Sequence, residues 1–125
     1  MSKFVLGNLF LFLSILTAST GQVIIKSVFL GLPSDASTWE AIKIIILTER
    51  VWRTGFAAVL IVLGFLCWLL CLHRLPLSYA YPIACSSVLV VTFLCVWLLG
   101  ETVSWRLWVG TLLIALGSSL VVFQK

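Results

Sequence analysis

Four stretches of the chain are almost continuously apolar, about residues 4–26, 54–72, 78–99 and 105–123. Each is close to the roughly 20 residues that a helix needs to cross a hydrocarbon core, and charge collects at their ends. The pattern predicts an all-α membrane protein, with four transmembrane helices forming a single domain over residues 1–125. The breaks between runs are as informative as the runs. His73-Arg74-Leu75-Pro76 reads as a tight turn, because Pro76 cannot continue a helix. Glu101 and Arg106 cannot stay in lipid, so the turn between the third and fourth runs must surface. Pro82 sits about one turn into the third span, where lost backbone bonding is cheapest, or else it kinks the span to open a cavity.

One break is long. Between about Gly31 and Arg53, Ser37 and Glu40 have capping-box spacing ahead of AIKIIIL. This predicts a short helix lying at the membrane interface. Trp39 would anchor it at headgroup level, with Ile42, Ile45 and Ile46 turned to lipid or protein. Span two is nearly featureless, with Gly55 and Gly64 as packing points and Trp68 as a large filler.

Span one has a polar half. Ser14, Ala18, Gln22 and Lys26 follow one another at i+4 and so share a helical face. Two readings stay open: close helix packing by small and hydroxyl residues, or a polar seam facing a substrate cavity. An amide and an ammonium are costly against lipid, although Lys26 can also snorkel to the headgroups.

Composition sharpens the class. Of 125 residues, 62% are hydrophobic and 10% charged, and the mean hydropathy is +1.24. That is an integral membrane protein, with no room for a soluble catalytic or nucleic-acid-binding domain. The net charge of +4 lies mostly beside the spans and does not argue for nucleic acid. The basic start, the apolar run and Thr17-Ala18-Ser19-Thr20 mimic a cleavable signal peptide. Cleavage would leave an odd three-span remnant, so span one is read as retained. Cys67, Cys71, Cys85 and Cys95 all fall inside spans without C-x-x-C spacing, which reads as packing rather than a metal or redox site. No nucleophile–base pair or carboxylate pair shares a membrane layer. Neither enzymatic activity nor a cofactor is expected.

The order of Pro76, Tyr81, a long apolar run, Gly100-Glu101 and then Gly110 and Gly117 resembles the half-repeat of the drug/metabolite transporter superfamily (EamA-like). Two small families within it fit the whole length. Ile15-Leu16-Thr17-Ala18-Ser19-Thr20-Gly21-Gln22-Val23-Ile24-Ile25-Lys26 follows the first-helix frame of the small multidrug resistance family. It keeps Ile15, Leu16, Gly21 and Lys26, but that family's membrane-embedded glutamate falls on Ala18 and its third-helix tryptophan on Ala84. A methyl group can bind neither a proton nor a lipophilic cation in exchange. Asp35, Glu40, Glu49 and Glu101 all map to loops or boundaries. The chain is similar, and more closely, to the small subunits of the aminoarabinose–phosphoundecaprenol flippase. That resemblance rests on Gly21-Gln22-Val23-Ile24-Ile25-Lys26 and on Leu75-Pro76-Leu77-Ser78-Tyr79-Ala80-Tyr81, and the long first loop is the departure from it.

The resemblance implies a multi-pass protein of the bacterial inner membrane that moves a polyprenyl-phosphate-linked sugar between leaflets. A lipid phosphate needs charge and donors. Lys26 would supply the charge, Gln22, Tyr81 and Ser86 the hydrogen bonds, with Ser14 on the same face as Lys26; Arg106 or Arg74 would receive the headgroup at one membrane face. It also implies a homodimer, or a heterodimer with a related small subunit, packed through Gly110 and Gly117. Lys26, Lys43, Arg50, Arg53 and Arg106 fall on one side and Lys3, Arg74 and Lys125 on the other, a modest bias toward loops one and three being cytoplasmic. The alternatives are a cation exporter of the small multidrug resistance type and a non-transporting accessory subunit of a glycolipid pathway.

Overall fold

The computed structural model describes residues 3–122 apart from 34 and 36. Six helices follow in order: α1 Lys3–Leu30, α2 Thr38–Leu47, α3 Arg50–Leu72, α4 Leu77–Cys85, α5 Ser87–Leu99 and α6 Trp105–Val122. Among the described residues all regular structure is helical. The predicted end of span four at Phe123, with Gln124 and Lys125, lies outside them.

The α1–α3 pair is the frame of the molecule. Of the buried positions on α1, Gly7, Leu11, Ser14, Gly21 and Val28 follow the spacing of a heptad seam, while Ser19 and Val23 are buried on a second face. On α3 the buried positions are Ala57, Gly64 and Cys71, seven apart. Two glycines let the backbones close in. A Cβ on Gly21 would stand 2.8 Å from Ile61 Cγ1 and 2.9 Å from the Ala57 carbonyl oxygen; one on Gly64 would stand 2.9 Å from Thr17 Oγ1 and 3.0 Å from the Ala18 nitrogen. Gly64 is thus the packing point expected of it. Gly55 is not, since nothing lies within 4 Å of its added Cβ; it sits on the outer face of α3.

At one end of the frame Leu11, Cys71, Leu75 and Ala80 form a buried cluster, with Trp68 and Tyr79 packed on it. All four cysteines are free, and among the described residues no group of metal-binding side chains assembles. Hydroxyls within the helices largely close onto their own backbone: Thr17 onto Leu13 (2.7 Å), Thr20 onto Leu16 (2.7 Å) and Ser118 onto Ile114 (2.5 Å). Their polarity is therefore satisfied within each helix before any neighbour arrives.

The third predicted span is two helices, α4 and α5, parted at Ser86. Pro82 lies inside α4, and the interruption comes four residues later, at Ser86. The α6 helix packs mainly on α4, while α5 leans on α1. Three helical stretches, Lys3–Leu30, Arg50–Leu72 and Leu77–Leu99, are long and apolar enough to cross a membrane; the apolar part of α6, Trp105–Val121, is shorter. Large apolar side chains cover the outside, among them Phe12, Phe56, Phe65, Trp97 and Leu113. Such a surface is at home only in lipid, and the chain is a multi-pass membrane protein.

The capping box before α2 forms as its spacing predicts. The Glu40 N–H donates to Ser37 Oγ at 3.4 Å, and the Ser37 N–H donates to Glu40 Oε2 at 2.9 Å. No residue of α2 is buried, so this cap is a large share of what holds the helix. Ser37→Ala is expected to remove about 1 kcal/mol from it. Hydrogen exchange of α2 amides should then quicken about fivefold while α1 and α3 stay unchanged.

Candidate functional site

Lys26 lies one residue past the α1 seam position 25, so a ~100° step per residue carries it off the α3 interface and toward α5. The α5 helix ends at Gly100, whose φ of 66° is left-handed, a conformation glycine enters without steric cost. The N–H groups of Gly100 and Glu101 (3.3 Å) both fold back onto the Cys95 carbonyl. This turn sets Glu101 Oε1 4.0 Å from Lys26 Nζ, with the side chains 54% and 38% exposed. Glu101 does lie in a loop, but one that brings it beside Lys26: α1 and the third span run the same way across the bundle, so the end of one meets the turn after the other. At 4.0 Å and this exposure the pair is a loose contact that a competing anion can replace.

Gln22, one turn below Lys26, is exposed, and Arg106, the second residue of α6, is exposed at the same end of the bundle. Arg50, also at that end, reaches the Val28 carbonyl at 3.4 Å and is engaged in closing the loop. Ser14 is different: at 7% exposure it belongs to the α1–α3 seam, where the i+4 face it shares with Lys26 has already turned inward.

Tyr81 and Ser86 lie in another layer. The neighbouring Tyr79 donates to Asn8 Oδ1 at 3.3 Å and packs on Phe4 with ring centroids 5.6 Å apart. Eighteen residues separate Asn8 from Lys26 on α1, about 27 Å along the axis at ~1.5 Å per residue. The Tyr81 ring meets Trp68 edge-on at 6.0 Å, and Ser86 marks the break between α4 and α5. A groove of about 800 Å³ opens between α4 and α6 beside Tyr81 and Pro82. The six expected site residues therefore divide: Gln22, Lys26 and Arg106 at one end, Tyr81 and Ser86 deeper toward the other, Ser14 in the seam. Gly110 and Gly117 both stand open, with nothing within 4 Å of an added Cβ.

Asn8 and Glu101 were not singled out as site residues from the sequence. Glu101 had a usable signal: a glycine that ends a helix, followed directly by an acid, at the same depth as a lysine on a parallel span. Asn8 had none, since its partner Tyr79 lies 71 positions away.

Residues 3–123 match the model of the EamA-like transporter family. A probable 4-amino-4-deoxy-L-arabinose–phosphoundecaprenol flippase subunit ArnF from Erwinia tasmaniensis is 33% identical over 119 residues, 93% of this chain and 94% of that one. A probable subunit ArnE of the same flippase from Proteus mirabilis is 34% identical over 117 residues, 94% and 96% of the two chains. An ArnF from Klebsiella pneumoniae is 27% identical over 115 residues, 90% and 91% of the two. No solved structure matches the chain.

Proposed function

The chain belongs to the EamA-like transporter family, and from that premise we propose that it is a flippase subunit carrying a polyprenyl-phosphate-linked sugar across the bacterial inner membrane. The observation that supports this most is Lys26, half-exposed at a membrane end and held only by a loose contact to Glu101. An ammonium so placed takes a phosphate when the carboxylate swings aside, and Gln22 one turn below and Arg106 at the same end add donors. The lipid chain stays in the bilayer, so only the headgroup needs a polar path. Relatives of both subunit types are named as parts of such a flippase, and neither name carries an enzymatic activity.

In this reading the chain is one domain with four spans, α4 and α5 together making the third and α6 the fourth. The end bearing Lys26, Lys43, Arg50, Arg53 and Arg106 faces the cytoplasm. The open Gly110–Gly117 face of α6 packs against a second subunit. Identities of 33% and 34% to the two subunit types do not choose between them, so a homodimer and a heterodimer with a related small subunit both fit.

Native mass spectrometry of the purified protein, offered undecaprenyl phosphate and tetraphenylphosphonium in competition, tests the proposal. Retention of the phosphate carrier, on a dimer mass, is expected. Preference for the cation would move the protein to the drug exporters, and retention of neither would favour an accessory role. Glu101→Gln removes the competing charge from Lys26, so it is expected to tighten undecaprenyl phosphate binding about threefold, within the ~1 kcal/mol span of exposed ion pairs.

A further inference from the structure

The face of α1 that carries Lys26 also carries Asn8, eighteen residues earlier, a spacing of about five full helical turns. At about 27 Å apart along the axis, the two stand near opposite faces of a hydrocarbon core of roughly 30 Å. Ser19, buried between them, lies two residues from Gly21 and so ~200° round from it, away from the α3 seam. The helix packed on that side is α5, whose buried residue is Thr92. The two ends of this face differ. Around Lys26 the contacts are loose: the lysine is half-exposed beside Glu101, and Gln22 and Arg106 are exposed. Around Asn8 the bundle is shut.

What shuts it is a thin layer. Leu11 of α1, Cys71 of α3, Leu75 of the turn and Ala80 of α4 form one buried cluster, and Cys71 and Ala80 are wholly buried. A hydrogen bond bolts α4 beside it. The Asn8 amide N–H donates to the Phe4 carbonyl at 3.0 Å, which orients the amide. The Tyr79 hydroxyl then donates to the Asn8 oxygen at 3.3 Å, long for a hydroxyl donor and so readily given up. Elsewhere α4 is weakly tied to the α1–α3 frame. Beyond the edge contact of Tyr81 with Trp68, it packs mainly on α6 and is parted from α5 at Ser86. The molecule is thus two helix pairs, α1–α3 and α4–α6, joined at this end by the cluster and its bolt and at the other by α5.

We propose that the Leu11–Cys71–Leu75–Ala80 layer is a gate at the far end of the headgroup's path, with Asn8–Tyr79 as its bolt, and that this structure is the state open at Lys26. The proposal rests on the transport reading. When α4–α6 leans away from α1–α3 the layer parts, and the freed Asn8 amide and Tyr79 hydroxyl meet the headgroup at the opposite membrane face. The α1–α3 pair moves as one piece, because Gly21 and Gly64 each hold a facing backbone at contact distance.

Cys71 is a reporter already in place, since its buried thiol reacts only when the layer opens. The full-length protein in lipid nanodiscs is labelled with a water-soluble maleimide, and peptide mass spectrometry follows each cysteine separately. Tyr79→Phe keeps the ring on Phe4 and removes the bolt. Cys71 should then label about fivefold faster, with Cys95, at the Lys26 end, unchanged. Asn8→Asp gives the Tyr79 hydroxyl a charged acceptor and strengthens the bolt. It should slow Cys71 labelling and glycolipid translocation about fivefold each, while undecaprenyl phosphate binding stays as it was. A Cys71 rate unmoved by Tyr79→Phe, or one that rises together with that of Cys95, would make the layer permanent core and overturn the proposal. So would translocation that Asn8→Asp does not slow. Undecaprenyl phosphate itself should speed Cys71 labelling in the unmodified protein, and Lys26→Ala should cancel that effect. If the lipid leaves Cys71 unmoved while Tyr79→Phe still exposes it, the phosphate assignment falls and the gate stands.

Discussion

Lys26→Ala is expected to weaken undecaprenyl phosphate binding roughly ten- to hundredfold and to abolish glycolipid translocation in a complementation assay. A hydrogen bond to a charged group is worth about 1.5–3 kcal/mol, and each 1.4 kcal/mol is tenfold in affinity. Removing Lys26 also strands Glu101, which then faces the incoming phosphate with like charge. Lys26→Arg separates a charge requirement from a packing one: it keeps the cation and should recover most of the binding. Translocation by Lys26→Ala at the unmodified rate would show that the ammonium only snorkels and that the headgroup passes elsewhere.

Gly21→Leu is expected to be the most damaging single change to the fold. Even a methyl group at this position meets the Ala57 carbonyl at 2.9 Å and Ile61 at 2.8 Å. The first of these is backbone on a helix and cannot turn away as a side chain can. Overpacking a tight contact costs about 1–3 kcal/mol, and a leucine adds three more carbons to the same collision. The α1–α3 seam should open, with loss of accumulation in the membrane and an earlier midpoint on titration with dodecyl sulfate. Gly55→Leu is the control, since its Cβ points into open space and should change neither quantity. Equal effects from the two would mean that the seam does not hold the bundle.

Much of the architecture was legible along the chain because lipid imposes a one-dimensional rule: long apolar runs become helices and charge collects at their ends. The capping box at Ser37 and Glu40 was equally readable, being a contact three residues long. The α1 and α3 boundaries were less so. The chain predicted spans ending at Lys26 and starting at Thr54, but the helices run on to Leu30 and begin at Arg50. The two extensions meet: Val28 is buried and its carbonyl accepts from the Arg50 guanidinium at 3.4 Å. The division of the candidate site was not legible at all. Gln22, Lys26, Tyr81 and Ser86 were grouped by chemical suitability, and depth in the bundle, which depends on how spans one and three are aligned, was left out of that grouping.

By itself the sequence determined that this protein lives in a membrane, that it is helical, and which transporter family it joins. All three follow from composition, period and short motifs. Only the tertiary structure decided that Lys26 has Glu101 beside it, that Gly21 and Gly64 rather than Gly55 carry the packing, and that the break at Ser86 opens beside a groove. Each of those depends on which residues, distant in the chain, arrive at the same height on neighbouring helices. That register is set by the fit of small residues against a facing backbone, which no pattern within one span contains.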